Sequence, residues 1–163
     1  TDLAMQVNLF ISGRKLKDLD TFSKSDPVCL VFEKINGSWK QIGKTEQIKN
    51  QLNPDFTTSF QVPYFFEKEQ HYKFCMIDGD GDGDYDTIGE VETTMGKLMG
   101  ALKQTFTANL MKGGQGNRGQ LIVELRPFKC RMSAPSLACV SKLLPILQAA
   151  AWACAPKERT LYA

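Results

Sequence analysis

Apolar and polar residues alternate with period two in a series of short runs as far as Phe128, the pattern of strands buried on one face. "MQVNLFI" (5–11) alternates and then breaks into the loop "GRKLKDLDTFSKSDP". "VCLVFEK" (28–34), "ING" and "SWKQIGKTE" (38–46) predict a hairpin. "NQLNPDF" is a turn punctuated by Asn53-Pro54. "TSFQVPYFF" (58–66) and "HYKFCMID" (71–78) predict two further strands, and "TIGEVETTM" (87–95) another. A short helix is expected around 95–103, then "QTFTANLM", a glycine-rich "KGGQGNRG" and a last strand, "QLIVELRPF" (120–128). Eight short strands separated by turn signals predict an all-β, eight-stranded antiparallel β-sandwich over residues 1–128. Beyond Phe128 the texture becomes alanine- and leucine-rich, interrupted by Pro135 and Pro145. Residues 129–163 read as a tail outside the sandwich, helical or disordered. Lys142, Pro145 and Gln148 make that tail a poor membrane span.

Composition adds one asymmetry. The net charge is +2, but setting aside the five aspartates of 78–86 with Asp20 and Asp26 leaves 11 acidic residues against 20 basic ones, or +9. A basic body with one acidic pole suits an anionic partner such as a lipid surface or nucleic acid, and a scatter of solubilising lysines is the plain alternative. Five cysteines without CxxC spacing, two of them (Cys29 and Cys75) inside apolar runs, point to a reducing, cytoplasmic setting. "TDLAMQVNLF" lacks the basic start and apolar run of a signal peptide.

The chemistry concentrates in "DGDGDGDYD" (78–86), five carboxylates in nine residues. Such a stretch repels itself unless a hard cation holds it, and Ca²⁺ takes six to eight oxygens; a solvated acidic loop is the plain alternative. An EF-hand requires Glu at position twelve, where this chain has Gly89, and helical flanks where it has strands. "FCMIDGD" resembles the Asp-x-Asp motif of haloacid-dehalogenase phosphatases, which makes a Mg²⁺-dependent phosphatase using Asp78 and Asp80 a remote alternative. The alternating strands and helices that such an enzyme needs do not follow. No ordered nucleophile–base pair is visible, and no enzyme is expected.

A distant loop fits better. "LKDLDTFSKSDP" places Asp20 and Asp26 six residues apart before a strand, and "IDGDGDGDYDTIG" places Asp78, Asp80 and Asp86 at offsets 0, 2 and 8 before Ile-Gly. With the Lys-Thr and Asn-Pro-x-Phe of "KTEQIKNQLNPDFTTSF", these stretches resemble a C2 domain, and "YFFEKEQ" and "TTMGKL" resemble the first C2 domain of the copines. Copines continue with a second C2 domain and a von Willebrand factor A-like domain, which the remaining residues cannot hold. A first strand leading straight into the first Asp loop implies the type II strand order.

The resemblance implies that Asp20, Asp26, Asp78, Asp80 and Asp86 converge on two Ca²⁺ ions, with backbone carbonyls of Leu19, Gly79 and Asp84. Gly83 stands where the family often has serine, and Asp82 and Asp84 are extra to the pattern: they would either substitute as outer ligands, Asp82 above all, or merely raise the local charge. It implies calcium-dependent binding to acidic phospholipid, phosphatidylserine above all, by a monomer that is recruited reversibly from the cytoplasm. Phe22 and Tyr85 would be the loop-tip contacts. Lys40 and Lys44, on one strand face by alternation, and Lys73, opposite in direction to Tyr72 and Phe74, would form a basic patch for phosphoinositides. The competing expectation is a calcium-independent protein-interaction module on the same sandwich.

Overall fold

The computed structural model describes residues 5–19, 24–79, 85–114 and 116–127. Among them eight strands follow in order: β1 Met5–Arg14, β2 Pro27–Ile35, β3 Ser38–Lys44, β4 Asp55–Tyr64, β5 His71–Gly79, β6 Tyr85–Thr94, β7 Thr105–Asn109 and β8 Gln120–Pro127. A five-residue helix, α1 (Met95–Met99), and a 3-10 turn, Leu102–Gln104, stand between β6 and β7. The strands form two four-stranded antiparallel sheets, ordered β4-β1-β8-β7 and β3-β2-β5-β6. The all-β antiparallel sandwich with a late helix is therefore the fold, and β1 leads directly into the first aspartate-bearing loop. The expected tail, 129–163, lies outside the described residues.

Alternation builds the core. Val7, Leu9 and Ile11 of β1, Leu121, Val123 and Leu125 of β8, Val31 of β2, and Tyr72, Phe74 and Met76 of β5 are all buried in one cluster. Each such side chain contributes roughly 1.5–3 kcal/mol relative to exposure. The first strand runs three residues beyond its expected end because Ser12, Gly13 and Arg14 continue the ladder against Ile122, Leu121 and Gln120. Asn36 and Gly37, at φ of 51° and 82°, make the two-residue hairpin turn that "ING" predicts. Free thiols at buried Cys29 and half-buried Cys75 accompany this packing, and burial raises the pKa of both.

Two interruptions of the ladder decide which way nearby side chains point. Opposite β2, Val31 pairs with Gly43 but Phe32 pairs with Gln41, so Ile42 is an extra residue in β3. Opposite β5, Met76 pairs with Gly89 but Ile77 pairs with Thr87, so Ile88 is extra in β6. Ile88 is nonetheless fully buried. A Cβ on neighbouring Gly89 would lie 2.9 Å from the Leu110 side chain, so that site needs glycine for close approach. Together these explain Ile-Gly after the acidic stretch: the bulge turns the isoleucine inward, and the glycine admits the chain that follows β7. The odd-to-even connections, β1–β2, β3–β4, β5–β6 and β7–β8, all lie at one end of the sandwich.

Candidate functional site

Three connections meet at that end. Pro27 sits opposite Asp78 in the β2–β5 ladder, so Asp26 arrives beside the end of β5. The Asp26 N–H donates to Asp78 Oδ1 at 2.7 Å, and the Gly79 N–H donates to the Asp26 carbonyl at 3.1 Å. Asp78 is 1% exposed, and among the described residues its Oδ2 is buried with no hydrogen-bond partner. A buried oxygen left unpaired costs on the order of 1–3 kcal/mol, more when charged. A carboxylate oxygen without a partner is of the type that a hard cation takes up. The Ile88 bulge brings Asp86 into register with Asp78, on the same face; strict alternation from Gly89 would have turned it to the other face. Asp86 itself is exposed.

The entry to the first loop is pinned from inside. Ser25 is fully buried, its Oγ accepts from the Leu19 N–H at 3.0 Å, and its own N–H donates to Asp18 at 3.2 Å. That gives the serine of Ser-Asp-Pro a structural task. Asp20, Phe22, Asp80, Asp82 and Asp84 lie outside the described residues, so the expectations on them stay expectations. Among the described residues no group of three or more histidine, cysteine, aspartate or glutamate side chains is assembled that could hold a metal.

The β3–β4 connection contributes residues to which sequence reading assigned no role. The Asn50 N–H donates to Asp26 Oδ1 at 2.8 Å, while Asn50 itself adopts φ of 54°. Gln47 Nε2 donates to Asp26 Oδ2 at 3.2 Å and to the Gly79 carbonyl at 2.6 Å. The only local signal for them is a polar run without alternation ahead of Asn-Pro. That Asn-Pro laces the same connection to β1: Lys15 N–H donates to Asn53 Oδ1 at 2.8 Å, and Gly13 N–H to the Pro54 carbonyl at 2.8 Å. Glu46 anchors the other side. Its carboxylate accepts from the backbone and hydroxyl groups of both Thr57 and Thr58. Desolvation pushes its pKa upward, but the Thr58 hydroxyl and the accompanying bonds outweigh that and hold it down at about 2.

On the outer face of the β3-β2-β5-β6 sheet the expected basic patch needs correction. Lys44 pairs with Leu30 whereas Lys40 pairs with Glu33, three residues along a regular strand, so the two lysines face opposite sides of the sheet. The extra residue Ile42 is the reason: one insertion reverses the alternation beyond it. Lys73 does face away from buried Tyr72 and Phe74, but it is taken up there. Its ammonium lies 5.5 Å from the Phe32 ring, 5.2 Å from the Trp39 ring and 3.9 Å from Glu90. Lys34 covers Trp39 as well, at 5.6 Å. Lys44 instead lines a groove of about 660 Å³ floored by Val28, Leu30 and Ile77, with Tyr85 at its loop end. Tyr85 is 53% exposed.

With this geometry in hand, comparison with known proteins is specific. The family model "C2 domain" matches residues 6–110. The chain is 36% identical over 140 residues to Nicotinic receptor-associated protein 1 of Caenorhabditis elegans, covering 74% of this chain and 22% of that protein. It is 44% identical over 101 residues to Copine-E of Dictyostelium discoideum, covering 58% of this chain and 17% of that protein. The chain thus spans about a fifth of the length of these relatives. Among solved structures it is similar to a C2 domain of plant Extended Synaptotagmin 1, with a TM-score of 0.62 at 22% identity, covering 77% of this chain and 96% of that one. It is similar also to BON1-C2B, with a TM-score of 0.56 at 24% identity, covering 77% and 92%.

Proposed function

The chain belongs to the C2 domain family, in a copine-like form, and from that premise we propose that it is a calcium-dependent module for binding acidic phospholipid membranes. The observation that carries this reading is the buried Oδ2 of Asp78, without a partner among the described residues, set beside Asp26 and in register with Asp86 at the loop end. Asp26, Asp78 and Asp86, with Asp20 and Asp80 from the adjoining loop segments, would hold two Ca²⁺ ions, and carbonyls of Leu19, Gly79 and Asp84 would add oxygens. Bound calcium supplies positive charge and open coordination positions at a pole that is otherwise acidic. This chain's own residues do the rest. Asp78 and Asp26 hold the metal-facing oxygens in place through the bond between them, and Ser25 and Asn50 fix the loops from which they project.

Phosphatidylserine is the lipid best matched to such a pole, with Phe22 and the exposed Tyr85 entering the headgroup layer. Phosphoinositide phosphates would be met by Lys44 at the groove rather than by Lys73, whose charge is already engaged. The module would be a cytoplasmic monomer, residues 1–128, that moves to membranes as calcium rises, with 129–163 as a separate appendage. Among the described residues no helix is long and apolar enough to cross a membrane. Calorimetric calcium titration followed by sedimentation with phosphatidylserine vesicles tests the proposal. Heat of calcium binding and chelator-reversible sedimentation are expected, and sedimentation unchanged by chelator would overturn it in favour of a calcium-independent surface.

A further inference from the structure

Gln47 stands in an unusual relation to the two aspartate loops. Its side-chain amide touches two oxygens at once, Asp26 Oδ2 at 3.2 Å and the Gly79 carbonyl at 2.6 Å. Both oxygens accept and neither can donate, so the amide nitrogen must be the atom turned towards them. A donor aimed at a carboxylate and a carbonyl from different loops does what a cation would do there: it neutralises repulsion and ties the loops together. Gly79 makes this approach possible, because a Cβ at that position would lie only 2.9 Å from Nε2. Asp26 is satisfied on its other oxygen by the Asn50 N–H, so both of its oxygens are engaged. Asp78 Oδ2, in the same cluster, has no such substitute among the described residues.

We propose that Gln47 is a surrogate cation that sets the calcium threshold of this site, occupying Asp26 and Gly79 until the metal displaces it. The inference rests on the proposed calcium binding and adds to it a residue from the third loop. Gln47 is exposed, so its side chain can swing into water when calcium arrives. Displacement nevertheless breaks two hydrogen bonds, one of them to a charged group, and the metal must compensate for that loss. Binding is weaker by that amount than in a site with free oxygens, on the order of three- to tenfold.

The test compares wild type with Gln47→Leu, Gln47→Lys and Gly79→Ala, by calorimetric calcium titration and by thermal unfolding in chelator. Gln47→Leu removes both donors, and should bind calcium about three- to tenfold more tightly while unfolding a few degrees lower in chelator. Gln47→Lys tethers a full charge in the same place, and should bind calcium at least about tenfold more weakly. Gly79→Ala pushes the amide off the carbonyl, and should move calcium affinity in the same direction as Gln47→Leu by a smaller factor. Were Gln47 only a scaffold that preorganises ligands, Gln47→Leu would bind calcium more weakly. Unchanged or weaker binding by Gln47→Leu, with wild type binding normally, overturns this inference and leaves the proposed function standing. A wild type that takes up no calcium overturns both.

Discussion

Two carboxylates near the same end of this sandwich have opposite surroundings. Glu46, at the end of β3, accepts four hydrogen bonds from Thr57 and Thr58. Asp78, at the end of β5, is buried with one oxygen bonded to the Asp26 N–H and the other to nothing among the described residues. Glu46 has a complete complement of partners supplied by the protein, and it serves to hold a loop. Asp78 has been carried out of water without one among the described residues. A folded chain tolerates such a deficit where something outside the chain makes it good. The lysines divide the same way: Lys73 is enclosed by two rings and Glu90, while Lys44 is exposed and lines a groove.

The contrast is broken most severely at Asp78. Asp78→Asn keeps the shape but removes the charge that the metal would meet, so calorimetry should show calcium affinity falling by at least about a hundredfold. Thermal stability in chelator should stay level or rise, since an uncompensated buried charge is also removed. A large loss of stability in chelator would mean that Asp78 is structural, like Glu46. Next in size is a pair within the acidic stretch. Asp80→Asn should cut calcium affinity severely, whereas Asp82→Asn, which removes a charge outside the ligand offsets, should cost about 1 kcal/mol or less. Equal losses would mean that the stretch acts as a diffuse cloud of charge.

Smaller again is the separation of the two lysines. With vesicles carrying phosphoinositide, Lys44→Gln should weaken binding about fivefold, near the worth of one lysine at an anionic surface. Lys73→Gln should change it less than about twofold but lower the unfolding temperature, through its lost ring contacts. Reversal of that order would return Lys73 to the lipid surface.

The smallest effect belongs to Glu46 and is a matter of pH. Its folded pKa is depressed to about 2 from an ordinary value of 4.5. Its contribution to stability is therefore complete above the ordinary value and lost as pH falls from there through about 2. Glu46→Gln should lower the unfolding temperature by about 2–5 °C at neutral pH, with the gap from wild type closing below about pH 4 as the carboxylate is protonated. A gap that stays constant down to about pH 2 would mean that the hydrogen bonds, rather than the charge, are what matter.

Most of the fold could be read along the chain. Strand after strand reported its own buried face, because alternation is a local consequence of the pleat and needs no partner to be visible. Val7, Leu9 and Ile11 are legible as an inward face before anything is known of β4 or β8. The acidic stretch 78–86 was legible for a related reason, since repelling charges and glycines have few uses in a strand end, whereas Asp20 and Asp26 were legible only through the resemblance to a C2 domain. The fate of a side chain beyond an irregularity could not be read in that way. Lys40 and Lys44 are four apart and alternate perfectly, yet Ile42 sends them to opposite sides; Asp78 and Asp86 share a face only because Ile88 is one residue too many. A bulge is decided by which residues the neighbouring strand presents, so its position belongs to the pairing and not to either strand alone. Gln47 and Asn50 carry the same lesson further. They reach Asp26 across more than twenty positions of sequence, and their bonds exist because the sandwich brings the β3–β4 turn against the end of β2. Composition could say that carboxylates crowd one stretch of this chain, and the resemblance to a C2 domain that a second loop would join them. Which of their oxygens are satisfied, and by whom, was settled only when strands distant in sequence closed on one another, because a hydrogen bond depends on where both partners finally stand.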